Sequence, residues 1–241
     1  MSALSESAGT TPEGQARLVA LYVALVGDLR LQMEAMPDKT QRLAFGNGTA
    51  SFLEEAARGA TDGNLLIWTS ETMASVAETL AADGHATEAE RLYQKAEEGL
   101  AKVLASKPSD DLARRVRIQQ AGILRARGRY EEAVKAYADL LAPNPSLVSV
   151  QVDAAMAYHL WGRATRSSER LAAAMSGGEP RENPRTKRTE NAIWGWGKLA
   201  QTTARSPQFR ETFLQARYQL AYARFEYAVL NDSAEQLARV K

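Results

Sequence analysis

The chain has 241 residues, a formal net charge of +1 and no cysteine. The lack of cysteine excludes disulfides, thiolate metal sites and a cysteine nucleophile. With 45% hydrophobic and 24% charged residues, its composition is that of an ordinary water-soluble protein. The apolar run at residues 18–26 is shorter than the roughly 20 residues that span a bilayer. The leader before it carries two glutamates, unlike a secretory signal, so we expect a cytoplasmic protein.

Charge is unevenly distributed along the chain. Residues 1–109 hold nine Lys and Arg against fifteen Asp and Glu, whereas residues 110–241 hold twenty-one against fourteen. A basic C-terminal half is typical of a protein with an acidic partner or a self-association surface. Solvated helix faces produce the same imbalance, so both interpretations stay open.

The N-terminal part of the chain predicts a flexible tail and a pair of helices. Residues 1–11 are rich in Ser and Thr, which favours a tail. Apolar periodicity over 12–36 and 38–58 predicts two amphipathic helices, the second bent near Gly46. We therefore assign residues 12–62 to an N-terminal helical pair. Period-two alternation is nowhere long enough to predict a strand.

Residues 63–181 contain an internal repeat. Gly128 and Gly162 lie 34 residues apart and are each followed by Arg, and the apolar positions around them align at the same interval. A third copy around Gly84 precedes them, offset by 44 residues. Three helix–turn–helix copies are therefore predicted, at about 70–103, 114–147 and 148–181, with Gly84, Gly128 and Gly162 as their turn residues.

The stretch GRYEEAVKAYADLLAPNP shows how one copy folds. Gly128 can adopt the positive φ that ends a helix, and Pro143 and Pro145 stop the next helix because they lack a backbone donor. Ala121 and Ala133 are small enough for the two antiparallel helices to approach closely. The pattern predicts a hairpin of two short helices.

These copies resemble the tetratricopeptide repeat (TPR), a helix–turn–helix unit of 34 residues. The resemblance implies an all-α fold, a right-handed α-solenoid of antiparallel helix pairs with about ten helices and atypical terminal ones. It also implies that the first helices of successive repeats line a concave groove. The chain departs from the family where a large first-helix residue is usual, since it has Met73, Arg117 and Gln151 there.

Residues 182–241 predict a C-terminal helical pair that packs on the solenoid. A polar loop leads to a helix around residues 190–204, and a second helix runs from Pro207 to about Leu230 with Ser206 as its N-cap. The second helix is apolar around much of its circumference, which predicts that neighbours surround it.

Two sets of side chains are candidates for binding a partner. Repeat phase places an apolar floor with basic residues in the groove, formed by Arg115, Ile118, Arg125, Val152, Met156 and His159. A secondary basic face on the last helix is formed by residues that recur every seven positions, Arg210, Arg217 and Arg224. The alternative for this second set is a solvent-exposed charged rib.

Catalytic constellations are scarce in the sequence. The two histidines, His85 and His159, fall in different repeats with no carboxylate at ligand spacing, so we predict no metal site. No Walker loop, dinucleotide fingerprint or nucleophile elbow occurs. We expect a non-enzymatic chain with no cofactor and no catalytic residue.

The leading hypothesis is a scaffold module that binds a peptide or helix of a protein partner, acidic in part, through the groove. A second copy of the chain is an alternative partner. Another alternative is a nucleic-acid-binding helical repeat that uses the basic half, which the near-zero net charge disfavours. A regulatory segment of a longer protein is the remaining alternative.

Overall fold

The computed structural model describes residues 32–33, 35–58, 60, 62–182 and 187–231. The predicted tail at 1–11 and most of the predicted helix at 12–36 lie outside these residues. The described residues are mostly helical, as predicted, and their elements follow in chain order. They are α1 (Lys39–Arg58), α2 (Gly63–Ala82), α3 (Ala86–Ala105), α4 (Asp110–Ala126), α5 (Tyr130–Leu141), α6 (Val148–Thr165), α7 (Ser168–Ser176), β1 (Gly178–Glu182), β2 (Thr189–Ile193), α8 (Trp196–Thr203), a 3₁₀ turn (Pro207–Phe209) and α9 (Arg210–Leu230).

The chain divides into two compact units, Met1–Val116 and Arg117–Lys241. In the first unit α2 packs against α1 and α3. A Cβ at Gly99 would collide with the hydroxyl of Ser70, so the glycine permits the close approach of α2 and α3.

The end of α2 is joined to α1 by a bidentate pair, in which Arg42 Nε and Nη2 lie 2.6 and 2.7 Å from the carboxylate oxygens of Asp83. Arg42 holds the pKa of Asp83 below its usual range.

The second unit is built on a core of alanines and a few large side chains. Ala121 and Ala133, the residues expected to let helices approach, are both fully buried, and so is Tyr137. The α6 helix packs against α5 and α7, and α8 packs against α9. Trp196 at the start of α8 is also fully buried in this core.

Three hairpin turns close with the same backbone pattern. The N–H groups of His85, Arg129 and Ser167 each donate to the carbonyl five residues earlier, at 2.9 Å in all three. The residue before each of these donors has a positive φ, which is +96° at Gly84, +73° at Gly128 and +50° at Arg166. This is the Schellman arrangement, which satisfies carbonyls at the end of a helix.

The third turn differs from the prediction, because Gly162 is not the turn residue. It lies inside α6, where an added Cβ would come within 2.8 Å of the Leu171 side chain. Gly162 therefore permits close packing of α6 against α7, and the chain turns four residues later, at Arg166. The first helix of the third copy is about one turn longer than the repeat spacing predicts.

A β-hairpin occupies the segment for which a polar loop and the start of a helix are predicted. Strand β1 pairs antiparallel with β2, with Gly178 opposite Ile193 and Glu182 opposite Thr189. The helical prediction was wrong for residues 190–193, which lie in β2, since α8 begins only at Trp196.

The β-hairpin is attached to the helices through buried side chains. Gln151 on α6 donates to the carbonyls of Pro145 and Ala192, both at 3.0 Å, and accepts from the Trp194 N–H at 2.6 Å. The Tyr158 hydroxyl donates to Glu179 at 3.1 Å. Burial raises the pKa of Tyr158, which keeps the phenol protonated and able to donate.

The last helix, α9, ends at Leu230 as predicted but begins differently. A 3₁₀ turn at Pro207–Phe209 precedes it, and the Ser206 side chain makes no capping hydrogen bond. The side of α9 that packs against the second unit carries small residues, and Ala216 and Ala223 on this side are fully buried. The other side is open to solvent, so the prediction that neighbours surround the helix was wrong for the described residues.

Candidate functional site

The first helices of the second and third hairpins place four predicted groove residues on the second unit. Ile118 on α4 and Val152 and Met156 on α6 are partly buried and pack against the same core. Arg125, in the last turn of α4, is also partly buried. We call these four residues the first-helix face. They form an apolar surface with a cation at its edge.

An ion pair joins the two helices of the first-helix face. Arg125 Nη1 lies 3.1 Å from Asp153 Oδ1, so a guanidinium on α4 reaches a carboxylate on α6. Burial raises the pKa of Asp153, and Arg125 partly offsets this effect. A partner carboxylate that approaches Arg125 has to share it with Asp153, so charge at this point selects orientation more than it adds affinity.

The structure places His159 in the interior, where only 2% of the residue is exposed. Its Nε2 lies 2.7 Å from Glu226 Oε2 on α9, and the other oxygen of Glu226 lies 2.9 Å from Arg163 Nε. The Tyr222 ring packs 5.5 Å from the imidazole. His159 therefore connects α6 to α9, and we do not place it among the side chains that contact a partner.

The remaining predicted groove residue, Arg115, belongs to the first unit. It is exposed, and its Nη1 donates to Asn64 Oδ1 at 2.8 Å near the start of α2. Glu71 lies two turns after Asn64 on α2. Burial raises the pKa of Glu71, and the charge of Arg115 partly offsets this rise. Arg115 thus has its own polar neighbours within the first unit.

The three arginines of the secondary basic face are all exposed on α9. The guanidinium of Arg217 lies 5.8 Å from the centre of the Phe213 ring, while Arg210 and Arg224 extend from the same side of the helix. Sequence reasoning missed the extent of the apolar surface beside them. Four large hydrophobic residues on α9 are exposed, Leu214, Tyr218, Phe225 and Val229.

A small cavity lies at the C-terminal end of α9. It has a volume of about 200 Å³ and is lined by Leu171, Phe225, Val229 and Leu230 together with Arg163, Arg166 and Glu226. Pockets for small metabolites usually measure about 300–1,000 Å³. A cavity of this size fits one large side chain of a docked protein better than a substrate.

The described part of the chain contains neither a metal-binding cluster nor a membrane-spanning helix. Among the residues that the structure covers, no group of three or more His, Cys, Asp or Glu side chains is placed to hold a metal ion. None of the helices found there is long and apolar enough to cross a membrane.

Comparison with known proteins gives no relative: neither a family model, nor a curated protein, nor a solved structure matches this chain. What the chain does is therefore inferred from the positions and contacts of its own side chains.

Proposed function

We propose that this chain is a non-enzymatic protein-interaction module, a TPR-like right-handed solenoid that acts as a scaffold in the cytoplasm. It binds a peptide or a helix of a partner protein. The shared turn geometry at Gly84, Gly128 and Arg166 supports the repeat, because one backbone pattern closes three successive helix pairs. In a solenoid of such repeats, the first helices of neighbouring hairpins lie side by side.

The observation that carries the proposal is the composition of the first-helix face. Val152 and Met156 lie one turn apart on α6 and keep part of their surface in contact with solvent. Methionine adapts to partners of different shape because its side chain is unbranched and flexible. The ion pair Arg125–Asp153 lies beside these side chains. A bound segment would gain affinity from the apolar anchors and orientation from the charges.

A double substitution tests this assignment. Arg125→Glu with Met156→Glu places two carboxylates on the first-helix face, so partners that depend on an apolar floor with a cation should be lost. Lys135→Glu on α5 is the matched control, because Lys135 is exposed on a second helix. The full chain and both variants are used to capture proteins from the native cell, and the captured proteins are quantified by mass spectrometry.

The expected result is a set of proteins retained by the wild-type chain and by Lys135→Glu but lost from the double variant. Circular dichroism checks that the double variant remains helical. If the double variant keeps its helicity and captures the same proteins, the first-helix face is not the binding site.

A further inference from the structure

The large hydrophobic side chains exposed within the described residues all lie on α9. Leu214 is 56% exposed, Tyr218 66%, Phe225 45% and Val229 54%. We call these four residues the outer stripe. Their intervals of four, seven and four residues place them within about 60° around the helix axis. A contiguous exposed apolar stripe of this kind is typical of an interface.

The outer stripe follows the heptad spacing of a coiled coil. With Tyr218 and Phe225 at a positions, Leu214 and the half-buried Ala221 occupy d positions. In the same register the first a position is the exposed Glu211 and the last d position is the fully buried Ala228, so the apolar seam is centred on residues 214–225. The g positions of three successive heptads are then Arg210, Arg217 and Arg224, and the e positions are Gln215, Tyr222 and Val229. The seam therefore has a cation at every g position and no ionisable carboxylate at any of these e positions.

Charge at the flanks favours an acidic helix over a second copy of α9. In an antiparallel pair, g positions face g positions, so arginine would meet arginine along the whole seam. In a parallel pair, g positions face e positions, and the e positions listed above offer no carboxylate. An occupant that satisfies Arg210, Arg217 and Arg224 has to bring acidic residues of its own.

We propose that the outer stripe is the docking site of an amphipathic helix from a partner protein, apolar at its a and d positions and acidic along the flank that faces the arginines. The cavity lined by Phe225 and Val229 receives one large apolar side chain at the C-terminal end of the seam. The outer stripe shares no residue with the first-helix face, so this proposal does not depend on the proposed function.

The test uses the full chain and two fluorescent three-heptad peptides. Both peptides have Leu at a and d positions, and one has Glu at every e and g position where the other has Lys. Fluorescence anisotropy should give about tenfold tighter binding of the Glu peptide, since three exposed ion pairs replace three like-charge contacts.

Arg217→Glu with Arg224→Glu should reverse this preference. Leu214→Ser with Tyr218→Ser should weaken both peptides, and Arg205→Glu, at an exposed arginine outside α9, should change neither.

Equal affinity for the two peptides in the wild-type chain, or a preference that Arg217→Glu with Arg224→Glu leaves unchanged, would overturn the proposal. A concentration-dependent dimer in sedimentation that Leu214→Ser with Tyr218→Ser dissociates would identify a second copy as the occupant and would also overturn it. So would tight binding of a single-stranded RNA oligonucleotide that depends on the arginines and is unaffected by the serine variant. The substituted residues are exposed, and two independent variants are used, so misfolding of one leaves the test intact.

Discussion

Arg166 is the residue at which the third hairpin departs from the other two. Its φ of +50° and ψ of +41° are left-handed, a region that costs residues with a Cβ about 1–2 kcal/mol. Gly84 and Gly128 occupy the equivalent positions of the other hairpins without this cost. No local sequence signal marks Arg166 as a turn residue, which is why sequence reasoning placed the turn at Gly162.

Replacing Arg166 by Gly should therefore stabilise the chain. We expect Arg166→Gly to raise the free energy of unfolding by about 1 kcal/mol, because the strain at φ is removed. Gly128→Ala should lower it by a similar amount, since it introduces the same strain at the second hairpin. Thermal unfolding followed by circular dichroism measures both. A lower melting temperature for Arg166→Gly would show that the side chain contributes more than the backbone strain costs.

At the scale of elements, the helices with local signals were predictable and the β-hairpin was not. Gly128 and the prolines after α5 mark the second hairpin within the chain segment that forms it. The hydrogen bonds that hold the β-hairpin run from Gln151 to residues about forty positions later, with separations of 41 to Ala192 and 43 to Trp194. No window of sequence contains both ends of such contacts, so the sequence predicts a polar loop for β1 and the start of a helix for most of β2.

Gln151 should accordingly be the side chain on which attachment of the β-hairpin depends. Gln151→Leu leaves the buried carbonyl of Ala192, the carbonyl of Pro145 and the N–H of Trp194 without their side-chain partner, so we expect a loss of about 3 kcal/mol in the free energy of unfolding. Gln201→Leu, on the exposed side of α8, should change it by less than about 0.5 kcal/mol. Denaturant titration followed by tryptophan fluorescence compares them. Equal stability of the two variants would mean that the hydrogen bonds of Gln151 contribute little.

At the scale of the whole molecule, helical phase was enough to predict Val152, Met156 and Arg125 as surface candidates. The burial of His159 was not predictable, because it depends on Glu226, 67 residues later. Likewise, the apolar residues around α9 fit both a helix packed on all sides and a helix with one exposed apolar stripe. Which side of a helix is covered depends on the elements packed there, and these are fixed only when the unit is assembled.

The most direct measurement of whether the first-helix face binds a partner is site-specific photocrosslinking in the native cell. Ser149 is exposed on α6, one turn before Val152, and Lys135 is exposed on α5. A benzoylphenylalanine that replaces Ser149 should give a discrete protein adduct on irradiation, and the same group at position 135 should not. No adduct from position 149, or the same adducts from both positions, would contradict the account.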